Sequence, residues 1–263
     1  MLTKQIIIAI INVKKHNQGE INVNFENTFK FAKKDSNENI DSLIKIAQFL
    51  FIEFNHIFGQ DIISGDECLI FNDKEAECPE IFTTATPIIL RLSQKSLNYW
   101  CQTIFQLSHE LCHYAISQHK DNKNITLSWF EEIVCEAVSL YFLKWASDNW
   151  HLCELYQSNP WYSKSIADYL NNELNKKGTT EFINCTSLDA LRRYEQTLST
   201  NRETHRNERN YLYQYILKEP TQSKCFCDYT RYIDSNGITI DFNKWLDMEN
   251  SQLLRIAASL QPC

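Results

Sequence analysis

Ser108-His109-Glu110-Leu111-Cys112-His113 holds two histidines four positions apart, with a glutamate beside the first. On a helix, residues i and i+4 lie one above the other on the same face, so both imidazoles can close on one metal ion while the Glu110 carboxylate stands next to it. One turn rises about 5.4 Å, a span that both rings can bridge to a shared ion at roughly 2.0–2.1 Å. The flanks decide whether the stretch is helical. Residues 96–108 contain no Gly or Pro, and Leu97, Trp100, Cys101, Ile104, Phe105, Leu111, Cys112 and Ala115 recur at helical spacing. The pattern predicts a buried helix over 97–117 with Ser93 or Ser96 as its N-cap. Buried histidines beside a buried glutamate need partners, and a metal supplies one.

A second breaker-free apolar run covers 127–143 and predicts another buried helix. Ser128 followed by Glu131 has the form of a capping box, in which Ser128 is the N-cap and Glu131 folds back onto the first turn. Glu132 is then free to serve as the third metal ligand. Eighteen residues lie between His113 and Glu132, enough for a loop through Lys120-Asp121-Asn122-Lys123-Asn124 that returns the second helix beside the first. Glu136 lies one turn beyond Glu132, where it can accept the N–H of a ligating imidazole and fix its tautomer. Two other readings stay open for it, a substitute ligand or the partner of a distant Arg or Lys. Ala137 permits close approach of the helices. Two neutral histidines and one carboxylate leave a fourth position for water, the composition of a catalytic rather than a structural zinc site.

These residues resemble the gluzincin metallopeptidases, in which HExxH is followed by a glutamate on a second helix and by an acidic residue four positions later. Trp129-Phe130-Glu131-Glu132 with Glu136-Ala137 is similar to the W-x-N-E-x-x-x-E stretch of the aminopeptidase branch, with Glu131 in place of Asn. The His-Glu-Leu-x-His helix also resembles the ImmA/IrrE-type peptidases. The resemblance covers residues 88–143. It implies a zincin-like α+β fold for one catalytic unit, 1–263: an N-terminal lobe over about 1–120 with a mixed sheet, the active-site helix, and a mainly helical C-terminal lobe over about 121–263. It further implies one Zn2+ per chain held by His109, His113 and Glu132, and a peptide or protein substrate. Glu110 would act as general base on a metal-activated water. The donor to the developing oxyanion would come from the C-terminal half, where Tyr194, His205, Tyr211 and Tyr215 are candidates. In such enzymes a sheet edge before the active-site helix takes the peptide as an extra strand. The run 87–92 is placed to be that edge, and its apolar character equally suits a core strand. The alternative to an enzyme is a zincin-like chain that binds metal without turnover.

Composition bounds the remainder. A chain of 263 residues, 43% hydrophobic and 13% aromatic, can bury a sizeable core without cross-links. A net charge of −7 with no Lys/Arg cluster argues against nucleic acid as a partner. No run reaches the roughly 18 apolar residues of a membrane span. The apolar residues 6–11 lead into Asn12-Val13-Lys14-Lys15 without a cleavage signal, and read as a strand rather than a signal peptide. The expectation is a cytoplasmic chain whose ten cysteines are reduced. Cys225-Phe226-Cys227 is the one close pair, and its spacing lacks the second pair of a structural zinc site. Strands are expected at 6–13, 21–25, 68–71 and 88–92. Helices are expected at 41–58, ending at Gly59, and at 162–176, 188–198, 206–217 and 242–260, which together make the class α+β.

Overall fold

Apolar residues at helical spacing between Asp41 and Phe58 bury one side of helix α1 (Asp41–Phe58), which stops where Gly59 takes a φ of 87° that side-chain-bearing residues resist. The computed structural model describes residues 25, 27–34, 39–59, 62–63, 67–119 and 125–263. The strand expected at 6–13, that at 21–25 apart from Phe25, and the loop 120–124 lie outside these. The fold is α+β and mainly helical, with one small mixed sheet.

The sheet contains β1 (Phe29–Phe31), β2 (Cys68–Asn72), β3 (Glu80–Phe82) and β4 (Ile88–Leu92), in the order β1-β2-β4-β3. β1, β2 and β4 run parallel, and β3 is antiparallel to β4. Register pairs Cys68 with Ile88, Ile70 with Leu90 and Asn72 with Leu92, which stacks the buried positions of both strands on one face. β4 is therefore an interior strand. Of the two readings left open for 87–92, the core strand holds and the open edge does not: both its sides are hydrogen-bonded, and the free edge on this flank of the described sheet belongs to β3.

β4 leads into helix α2 (Trp100–His119), and side chains lock the two together. Asn72 and Gln94 exchange two hydrogen bonds, of 3.0 and 2.9 Å, and Thr103 Oγ1 donates to Gln94 Oε1 at 3.0 Å. The Ser93 N–H donates to Gln106 Oε1 at 3.1 Å, and Gln106 Nε2 donates back to Ser93 Oγ at 3.2 Å. Contrary to the expectation from sequence, neither Ser93 nor Ser96 caps α2. Ser93 serves this lock, and Ser96 Oγ accepts from the Asn98 N–H in a turn before the helix.

Helix α3 (Ser128–Asp148) is buried around nearly its whole circumference, the mark of a central helix. Its N-terminus corrects the capping-box reading. Ser128 is already helical and makes no capping bond; the Ser128 and Trp129 N–H groups donate instead to the two oxygens of Glu195, at 2.6 and 2.9 Å. A carboxylate from a distant helix replaces the local serine, and Glu131 is released for another use.

After α3 come α4 (Tyr162–Asn175), α5 (Leu188–Thr197), a 3-10 turn over Arg202–His205, α6 (Arg206–Ile216), a run of 3-10 turns over Pro220–Tyr232, α7 (Phe242–Met248) and α8 (Gln252–Leu260); α4 and α6 pack directly on α3, and α8 packs on α6 and α7. The single helix expected over 242–260 is two, because Ser251 is extended (φ −107°, ψ 134°) and its Oγ caps α8. One continuous apolar core extends from Phe25 to Leu260. Among the described residues, no helix is long and apolar enough to cross a membrane.

Candidate metal centre

α2 and α3 lie side by side and antiparallel, so that residues late in α2 meet residues early in α3. His109, 3% exposed, and His113 stand one above the other on α2, and Glu132 faces them from α3. His109 Nε2 is 3.2 Å from His113 Nε2 and 3.4 Å from Glu132 Oε2; His113 Nε2 is 3.6 Å from Glu132 Oε1. Two ligands on a tetrahedral ion with bonds of 2.0–2.1 Å are about 3.3–3.4 Å apart. Each histidine nitrogen thus faces its own oxygen of Glu132, and one ligand atom from each of the three residues can be taken with all of them within 4.8 Å of one another, close enough to share an ion. Among the described residues this is the one group of three or more His, Cys, Asp or Glu side chains so gathered; Cys225 and Cys227 are buried and belong to no such group.

The surroundings orient these side chains. His113 Nδ1 donates to Glu131 Oε2 at 3.1 Å, which leaves Nε2 to present its lone pair to the centre. Glu131 Oε1 accepts from the Tyr229 hydroxyl at 2.5 Å, and that oxygen in turn accepts the Leu127 N–H at 3.0 Å. A hydrogen-bonded line therefore runs from the 3-10 segment to His113 Nδ1, on the side of the ring away from the cluster. Burial lowers the His113 pKa, but its hydrogen bonds to Glu131 and Glu132 outweigh this and carry it well above its ordinary value. For Glu132, burial is outweighed by hydrogen bonds to both histidines, which hold it well below the carboxylate range. Burial lowers His109. It also pushes Glu110, 3% exposed beside the three, up to about 7, with the His113 charge opposing and Glu132 adding to the rise.

Of the readings open for Glu136, the structure selects the partner of distant arginines. It meets neither ligating imidazole: Arg209 Nη1 bonds its Oε2 at 2.7 Å, Arg202 Nε stands 3.0 Å from Oε1, and His205 Nε2 is 4.0 Å from Oε2. A carboxylate with no exposed surface on a buried helix needs this much positive charge, and only distant segments could bring it. Arg209 continues to the Glu173 carbonyl oxygen at 2.9 Å.

The four candidate oxyanion donors scatter. The Tyr194 hydroxyl is buried, 2.6 Å from Thr204 Oγ1 and 3.3 Å from His205 Nδ1. Tyr211 and Tyr215 pair with each other, hydroxyls 3.4 Å apart, toward the outside of α6. His205 alone feels the charges of Glu132 and His109, and it is wholly buried behind Glu136.

Three residues that sequence reasoning passed over, Glu131, Tyr229 and Arg202, complete the surroundings. Glu131 had a visible signal: adjacent to Glu132, it points about 100° away and can reach the far side of the same histidine pair. No protein-family model matches the chain, and neither curated proteins nor solved structures gave a match.

Proposed function

We propose that this chain is a zinc-dependent peptidase of the zincin type, with His109, His113 and Glu132 as metal ligands and Glu110 as the base. The observation that carries the reading is the clustering of the two histidine Nε2 atoms, 3.2 Å apart, with the Glu132 oxygens at 3.4 and 3.6 Å from them. Two nitrogens and one oxygen suit zinc and leave an open position. When bound, the ion would activate a water and polarise the substrate carbonyl. Glu110, with a pKa near 7 from burial, suits a group that takes a proton from that water and returns it to the leaving amine. Glu131 and Tyr229 hold His113 in the tautomer that ligation requires. The substrate backbone would add to the free edge of β3, where Glu80 is within electrostatic reach of Glu110.

Zinc content and hydrolysis of a peptide library test the reading together. The native chain should hold about one zinc and cleave; His113→Ala should lose the metal; Glu110→Gln should keep it and fall by at least about 100-fold in rate. A zinc-free native chain after zinc loading, or full activity in Glu110→Gln, would sink it.

A further inference from the structure

We propose that Arg202 is the group by which this site recognises a carboxylate on its substrate, either the chain's own C-terminus or an acidic side chain beside the cleaved bond. The proposal rests on the peptidase reading and specifies its substrate class.

Position comes first. The Arg202 guanidinium carbon lies 5.4 Å above the Phe105 ring, and its Nε is 3.0 Å from Glu136 Oε1. Phe105 is one turn before His109 on α2, and Glu136 is one turn after Glu132 on α3. Because the helices are antiparallel, both turns lie at the same end of the metal layer. The guanidinium therefore lies at the level of the next helical turn, about 5.4 Å along the axis from that of His109 and Glu132. An extended chain advances about 3.3–3.6 Å per residue, so a carboxylate one or two residues from the scissile carbonyl reaches it. Its charge is felt at both Glu110 and His109.

The second point is which of its atoms are engaged. Arg209, on the same carboxylate, is 1% exposed and spends both terminal nitrogens on protein, Nη1 on Glu136 and Nη2 on Glu173. Arg202 is 33% exposed, and among the described residues only its Nε meets an acceptor. Both terminal nitrogens remain available. A guanidinium held on one edge and stacked on an aromatic ring offers a rigid fork suited to a carboxylate.

Charge is the third. Glu136 is a single anion between two guanidiniums, and Glu173, which faces Arg209 at 3.5 Å, also meets Lys176 at 2.5 Å. Arg202 is the cation left over, and it is the one of the three that is both exposed and beside the cluster.

The test uses zinc-loaded full-length chain and dipeptide hydroxamates, whose hydroxamate anchors on zinc. One ligand ends in a carboxylate, one in a carboxamide, and a third is a carboxamide bearing a Glu side chain in place of Gln. Calorimetric titration should find one carboxylate ligand bound at least about ten-fold more tightly than its neutral counterpart, and the ligand that shows it identifies the source. In Arg202→Gln the ratio should fall to near one, with Arg202→Lys between. Equal affinity in the native chain, or a preference that survives in Arg202→Gln, overturns the proposal while leaving the metal site standing. Failure of every hydroxamate to bind overturns the metal reading and this proposal with it. The native-chain comparison decides even if the glutamine variant does not fold.

Discussion

His205 has no exposed surface, and its pKa is lowered to about 4, mainly by burial, against the pull of Glu132 and with help from Arg209, His109 and Arg202. Unfolded, the same ring titrates near 6.5. Between those two values the unfolded chain binds a proton that the folded chain refuses, so this contribution is complete above about pH 6.5 and is lost as pH falls toward 4. The difference is on the order of 3 kcal/mol. Urea titrations at pH 7 and 4.5 should show a smaller loss of stability in His205→Gln than in the native chain, and equal losses would refute the assignment. Glu131 makes a second case. Glu131→Ala keeps all three ligands but removes the acceptor from His113 Nδ1, and should weaken zinc binding about 10- to 100-fold in a chelator competition. His109, Glu110, His113 and Glu132 were legible as residues because the first three sit within one turn and the fourth heads the next apolar helix. Tyr229 and Arg202 were not. Tyr229 reaches Glu131 across 98 positions, and no periodicity records a contact of that length.

At the scale of elements, the start of α3 separates a local rule from its tertiary replacement. The motif Ser128-x-x-Glu131 satisfies the capping-box pattern, yet Glu195 of α5 accepts both N–H groups and Glu131 turns to His113. Glu195→Ala should therefore cost about 1–2 kcal/mol. Ser128→Ala, which the capping box would make the costly change, should stay within about 0.5 kcal/mol. Chemical denaturation of the two variants decides, and the reverse order would restore the local rule. The long helices α1, α2 and α3 could be read from sequence because each is an uninterrupted run with apolar residues at helical spacing. β1 and β3 could not, since three residues cannot display alternation. The apolar run of β4 left edge and interior equally open, and the choice rested on β3, which could not be seen. The break between α7 and α8 rests on one extended serine, which a continuous apolar pattern conceals.

For the molecule as a whole, the ten cysteines are unpaired, eight of them buried, so noncovalent packing holds the core together. A ligand bound only by the folded chain adds to that stability by mass action, about 2.7 kcal/mol at a hundred times its dissociation constant. For a chain of this size each kcal/mol shifts the melting temperature by about 2–4 °C. Stripping zinc with a chelator from that level should therefore lower the midpoint by about 5–10 °C in calorimetry, and should leave His113→Ala unmoved. An unchanged native midpoint would argue against a metal that is part of the fold. The line from Leu127 through Tyr229 and Glu131 to His113 carries a final consequence. A chain clipped after Leu217 would retain His109, Glu110, His113 and Glu132, and would pass any inspection of its motif. It would have lost the hydroxyl that steadies Glu131, and with it the aim of one imidazole. Damage at the tail would thus surface as a fault at the centre, so intact mass should be established before a weak preparation is taken for an inactive protein.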